Sequence, residues 1–329
     1  MQQGDVMKAI LAIAAAAILA VQPASAQTVK WDLPAGYPAG NFHSKNLVQF
    51  ADDVKKATNG KLEITVHAGA SLFKVPEIKR AVQTGQAQIG ELLMVVLENE
   101  DAFFGIDNVP FLATSFAEAK KLWAVSRAGT EKRLAAQGMR VLYAVAWPPQ
   151  GFYSPKPLEK IEDLKGLKFR SYGASADRMG ELSGMQVTTI QAAELGQAFA
   201  TGRVNAMISS GATGYDTKLW EFVKHFYDVQ AWLPKNMIIV NDKAWSSLDA
   251  ATRDAVTKAA ATAETRGWAE SERLTGFYLE EFKKNGMTAG APGPALKAGF
   301  KKIGEELSKD WLKRAGPDGQ AAIDAFRKG

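Results

Sequence analysis

Apolar and polar positions along this chain switch between two periods. Residues 61–67 place Leu62, Ile64 and Val66 on one face and polar side chains on the other, the pattern of a half-buried strand. Residues 44–57 instead repeat Leu47, Phe50, Val54 and Ala57 at helical spacing, with Ser44 as a cap and Asn59-Gly60 as a stop. The same reading predicts strands at 29–33, 88–94, 141–146, 168–171 and 206–209. It predicts helices at 77–83, 177–183, 193–200 and 215–225, with Gly85, Gly184 and Gly202 each closing one. Pro148-Pro149 cannot continue the strand before them. Alternation of this kind predicts an α/β chain with largely parallel sheets.

A much longer helical pattern opens at Ser247-Leu248-Asp249 and holds no proline before Gly286. About 37 helical residues reach roughly 55 Å at 1.5 Å per residue, more than one small lobe offers. The helix is therefore expected to span two lobes. Residues 291–294 read as a loop, and the tail as one or two amphipathic helices. There is no internal repeat and no low-complexity linker, so the lobes are expected to join through ordered strands and the long helix.

The first residues differ from the rest. Lys8, an apolar run at 10–21, Pro23 and the small-x-small site Ala24-Ser25-Ala26 form a secretory signal pattern. The run is too short for a membrane span, which needs about 20 residues. Met7 is a plausible true start, and the mature chain is expected to begin near Gln27. The chain has no cysteine, which removes thiolate catalysis and cysteine metal sites. Its three histidines, His43, His67 and His225, form no metal-ligand spacing. The formal charge is +5, with the two signs interspersed, which argues against a nucleic-acid partner.

Chemistry concentrates in a few places. The segment from Gly151 to Tyr172 reads as a crossing, a helix start at 161–164, a turn at Gly166 and a short strand carrying Arg170. A guanidinium at a strand mouth offers a fixed fork that matches a carboxylate, although on spacing alone an ordinary surface or salt-bridged arginine is the commoner case. Ser209 and Ser210 follow an apolar strand and lead toward a helix. They suit a ligand carboxylate or a plain helix cap. Trp147, Phe42, Phe73, Tyr172 and Trp232 fall near strand ends, as pocket walls or as core. Glu91 ends a strand, either accepting from a ligand hydroxyl or facing solvent. Nucleophile-elbow, phosphate-loop and dinucleotide motifs are absent, and no enzyme activity and no cofactor are expected.

Taken in order, these residues resemble the solute-binding proteins of TRAP transporters, the DctP-type family. The marks are Asn59-Gly60-Lys61, the run 82–90 (VQTGQAQIG), Val109-Pro110-Phe111-Leu112, the stretch 154–170 (SPKPLEKIEDLKGLKFR) and the run 198–206 (AFATGRVNA). The resemblance implies an α/β, two-lobed periplasmic-binding-protein fold with a hinge and a long lobe-spanning helix. It implies a signal peptide at 1–26, lobe 1 from 27–147 plus 236–275, and lobe 2 from 148–235 plus 276–329. It implies a periplasmic receptor that closes on a small organic acid and serves a TRAP membrane permease. The family's ligand arginine, at the end of its GLKxR strand, matches Arg170.

Two departures from the family pattern shape the expected ligand. A second arginine that many members carry falls at Gln150, and a pocket asparagine falls at Ser209. One cation and several aromatic residues suggest a monocarboxylate with an apolar body, an aromatic 2-oxo or 2-hydroxy acid first. Dicarboxylates, aliphatic 2-oxo acids and sugar acids are the alternative ligands, and a periplasmic enzyme acting on a carboxylate is the alternative of another class. The expected ligand set is Arg170, Ser209, Ser210, Trp147, Gln150, Tyr172, Trp232, Phe73, Glu91 and Phe42.

Overall fold

The computed structural model describes residues 28–328; the signal pattern lies outside them. The first half runs β1 Val29–Pro34, α1 Phe42–Ala57, β2 Leu62–His67, α2 Val75–Thr84, β3 Ile89–Leu93, α3 Phe116–Ala135 and β4 Met139–Ala146. The chain then crosses into β5 Gln150–Ser154, β6 Lys168–Ser171, α4 Ala174–Leu182, β7 Gln186–Thr189, α5 Leu195–Ala200, β8 Ala206–Ser210, α6 Gly211–Asp216 and β9 His225–Tyr227. It returns through β10 Lys235–Asn241, α7 Asp242–Ser247 and α8 Ala250–Lys284, and ends with β11 Thr288–Gly290 and α9 Pro294–Lys328.

Lobe 1 holds the pair β1-β2 and the sheet β3-β10-β4; lobe 2 holds the sheet β11-β9-β5-β8-β6-β7. The sheets are mixed rather than largely parallel. β10 runs antiparallel to β3 and β4, and β5 antiparallel to β8 and β9, while β1-β2, β6-β7, β6-β8 and β9-β11 are parallel. The reversed strands are those that enter a lobe from the crossing. A strand arriving from the other lobe meets its neighbours head-on, whereas a strand reached through a helix returns in the same direction.

The crossing itself is ordered. Trp147 N–H donates to Pro234 O at 2.8 Å, and Gln150 N–H to Trp232 O at 2.9 Å, so outgoing and returning strands brace each other around Pro148-Pro149. Helix α8 is capped by Asp249, whose carboxylate accepts from Thr252 N–H at 2.7 Å. It packs on α1 and β4 in lobe 1, then on α6 and β11 in lobe 2. Its 35 residues extend about 52 Å. Helix α9 is broken by Gly316, whose φ of 61° precedes Pro317. Beyond lobe 2 it returns to lobe 1, where Trp311 Nε1 donates to Ala102 O at 2.7 Å and Ile323 and Phe326 join the lobe 1 core. The stretch 276–329 therefore does not sit wholly on lobe 2, because its last apolar side chains complete the other core.

Some elements differ from the pattern reading. The helix expected over 215–225 stops at Asp216, Lys218 turns left-handed at φ 49°, and residues 225–227 form β9. Residues 150–154, read as a bare crossing, form a strand whose five residues are all buried.

At Gly267 the helix α8 touches the lobe 1 sheet. A Cβ there would lie 2.6 Å from Val145 Cγ2 and 2.8 Å from Asn46 Nδ2. Gly267→Ala is expected to cost about 1–3 kcal/mol of stability by overpacking. A urea transition that does not move would show that the helix can lift off without cost.

Candidate functional site

Between the lobes lies a cleft lined by both lobes and by the crossing. Lobe 2 supplies Arg170, Tyr172, Gln191, Ser209 and Thr213; the crossing supplies Trp147, Gln150 and Pro234; lobe 1 supplies Tyr37, Val75, Leu93 and Val96. Among the described residues, Arg170 is the one charged side chain on these walls.

Arg170 stands on β6 between β7 and β8 and is 4% exposed. Gly166, at φ 80°, turns the chain into this strand. Arg170 Nε donates to Ile190 O at 2.8 Å, and its guanidinium lies 4.9 Å from the Tyr172 ring centre. Among the described residues its terminal nitrogens have no hydrogen-bond acceptor, and no carboxylate lies within 4.0 Å of them. Burial lowers its pKa to about 10, against the pull of Tyr172 and Tyr37. It therefore remains a cation at neutral pH, held where a carboxylate can meet the free edge of its fork.

Neutral polar groups surround it. Tyr172 hydroxyl donates to Gln150 Oε1 at 3.2 Å and accepts from Trp232 Nε1 at 3.0 Å; Gln150 Nε2 donates to Pro148 O at 3.0 Å. Burial pushes the Tyr172 hydroxyl up to about 12. Ser210 caps α6, its Oγ accepting from Thr213 N–H at 3.2 Å. Ser209, opposite Gly151 in the β5-β8 ladder, has no side-chain partner among the described residues. Trp147 Nε1 donates to Asn236 Oδ1 at 2.8 Å, and Tyr37 packs edge-on against its indole at 4.7 Å.

Of the residues expected from sequence, Arg170, Ser209, Ser210, Trp147, Gln150 and Tyr172 line this cleft. Four others do not. Trp232 is fully buried behind Tyr172 and reaches the wall only through that hydroxyl. Phe73 packs against the lobe 1 core. Phe42 packs behind Trp147 at 5.5 Å and lines a separate cavity with Lys45 and Arg266. Glu91 is 1% exposed beneath the wall, neither on the surface nor in the cleft. Strand-end position gave no information on which way a side chain turns. Tyr37 and Gln191 were missed: Tyr37 lies in a loop without periodicity, and Gln191 follows the polar edge strand β7.

Two hydrogen bonds tie the lobes across the cleft's flanks. Asn41 Nδ2 donates to Asp216 Oδ2 at 2.6 Å, and Ser175 Oγ to Glu98 Oε2 at 3.1 Å. The lobes are thus in contact on both flanks. Among the described residues no group of His, Cys, Asp and Glu could hold a metal ion, and no helix is long and apolar enough to cross a membrane.

The family model DctP, described as bacterial extracellular solute-binding protein, family 7, matches residues 36–314. DctP6 of Bordetella pertussis, an extracytoplasmic solute receptor binding pyroglutamic acid, is 51% identical. The match covers 92% of this chain and 100% of that one, with a TM-score of 0.90. A marine metagenome TRAP solute-binding protein specific for pyroglutamate is 47% identical over 92% and 100%, with a TM-score of 0.91. DctP7 of Bordetella pertussis, also binding pyroglutamic acid, is 45% identical over 91% and 100%, with a TM-score of 0.90.

Behind the crossing, Lys235 and Asp107 form a fully buried pair. Lys235 Nζ lies 3.5 Å from Asp107 Oδ2, which also accepts from Lys235 N–H at 2.7 Å. Burial pushes Asp107 up to about 6 and lowers Lys235. Lys235→Met should destabilise the fold by about 3–5 kcal/mol, since it strands a buried carboxylate. A denaturation midpoint within error of the unmodified protein would mean the pair adds nothing.

Proposed function

Because the chain belongs to the DctP family of bacterial extracellular solute-binding proteins, the receptors of TRAP transporters, we propose that it captures pyroglutamate or a cyclic monocarboxylate of that size. The observation that carries this reading is the lone Arg170 guanidinium, with a free edge, in an otherwise neutral cleft. Pyroglutamate carries one carboxylate on a five-membered lactam ring. One fork matches one carboxylate, and neutral donors and acceptors suit an amide. The relatives at 45–51% identity, whose described ligand is pyroglutamate, support the same choice.

The missing second cation at Gln150 disfavours dicarboxylates, because a second buried carboxylate would have no partner there. The aromatic 2-oxo or 2-hydroxy acid preferred from sequence loses much of its support. Trp232, Phe73 and Phe42 do not reach the cleft, so the wall for a large ring shrinks to Trp147, Tyr37 and Tyr172.

In this reading Arg170 pairs with the carboxylate and the Ser209 hydroxyl donates to the same group or to the lactam oxygen. Tyr37 and Trp147 close over the ring from the other side. Contacts to both lobes favour the closed state over the open one, so ligand capture and lobe closure are one event. The closed receptor then delivers its ligand to the TRAP membrane permease, with the periplasm as its compartment.

Calorimetry on ligand-stripped protein should give saturable binding of L-pyroglutamate, with weaker or no binding of succinate and mandelate. Arg170→Ala should weaken it by about 2–5 kcal/mol. A preference for succinate or mandelate would replace the ligand, and an unchanged affinity in Arg170→Ala would remove the clamp.

A further inference from the structure

Beneath the lobe 1 wall lies a polar cluster that the ligand contacts leave unused. Asn236 sits at its centre. Its Oδ1 accepts from Trp147 Nε1 at 2.8 Å and from Tyr37 hydroxyl at 3.5 Å, and both donors line the cleft. Its Nδ2 donates to Glu91 Oε1 at 2.9 Å. Three buried atoms around it have no hydrogen-bond partner among the described residues: Glu91 Oε2, His43 Nε2 and Tyr143 hydroxyl. Unsatisfied groups this deep are rare and call for a role.

We propose that Glu91 and Asn236 are positioning residues for the ligand wall: they set the orientation of Trp147 and Tyr37 and make ligand affinity depend on the protonation of Glu91. The inference rests on the reading of the cleft as a carboxylate site.

The asymmetry of the relay supports it. An amide offers one acceptor and two donors, and Asn236 turns its acceptor to the cleft only while Glu91 accepts from its other side. The groups facing Glu91 are His43 from α1, Tyr143 from β4, Asn236 from β10 and Tyr37 from the loop after β1. Farther out, Arg266 and Glu264 of α8 act on Tyr143, and Arg170 acts on Tyr37. His43 Nδ1 lies 3.6 Å from Glu91 Oε1, which resembles an ion pair in distance. Burial holds the imidazole far below its usual range, so it is neutral and the contact is not one. Without a cation beside it, Glu91 is pushed up to about 7 by burial, only partly offset by the Asn236 hydrogen bond.

The sign follows from charge. An anion bound at Arg170 disfavours a second buried anion behind the same wall, so ligand binding favours the neutral acid and takes up a proton. Affinity is therefore highest below about pH 7 and falls as Glu91 ionises.

The test is calorimetry with L-pyroglutamate at about pH 6 and about pH 8.5, repeated in buffers of different ionisation enthalpy. The dissociation constant of the unmodified protein should rise about threefold or more between these values, with net proton uptake at the midpoint. Glu91→Gln, which keeps the acceptor and cannot ionise, should bind with a flat profile. A flat profile in the unmodified protein, or a slope retained in Glu91→Gln, overturns the inference. A second arm needs no ligand: the Trp147 emission, taken as the difference from Trp147→Phe, should titrate near pH 7. That titration should vanish in Glu91→Gln and in Asn236→Ala. If pyroglutamate binds at neither pH, the ligand reading fails while this arm still decides the relay. A pH-independent Trp147 signal overturns it.

Discussion

A guanidinium removed from water without a carboxylate beside it is the constraint around which the cleft is organised. Taking such an ion out of water costs several kcal/mol unless an opposite charge offsets it. Arg170 is partly relieved by one backbone carbonyl and by the face of Tyr172. The rest of the cleft leaves its charge uncancelled. Its other walls are neutral, and Tyr172, Gln150 and Ser210 spend their hydrogen bonds on one another, on Trp232, on Thr213 or on backbone. A carboxylate placed on Arg170's wall would have quenched the fork.

The crossing turns this local arrangement into a two-lobe device. Trp147 and Gln150 flank Pro148-Pro149 on the outgoing segment, and each is braced by a backbone hydrogen bond to the returning one. The return passes directly into Lys235 and Asn236, the first buried as a charge pair and the second holding the indole of Trp147. Wall and hinge thus share residues. The aromatic wall is anchored to the lobe 1 sheet through Asn236 of β10.

Much of this was legible in the sequence wherever local signals act alone. The helix at 44–57 with its Asn-Gly stop, the turn at Gly166 into the Arg170 strand and the long proline-free helix all follow from periodicity and end signals. β10 was not read. Its seven residues are buried throughout, and a continuous apolar run such as Met237 to Val240 lacks the alternation that separates strand from helix. β9 was read as helix, whereas Lys218, left-handed at φ 49°, turns the chain out of the helical path before it. Within the site, Arg170 was legible from its motif, whereas Trp232 and Glu91 were placed by proximity to strand ends. Which side of the wall they occupy depends on partners far along the chain, Tyr172 and Asn236, that no local pattern reveals.

The path of α9 bears on the order in which the molecule can be completed. Trp311, Ile323 and Phe326 belong to the core of the lobe that the chain begins with. The first lobe keeps an open apolar face until these residues, far along the chain from β1 to β4, dock on it. Contacts so distant along the chain make closure of that core slow. While that core stays open its apolar face is exposed, and slow closure lengthens the time in which the chain can aggregate.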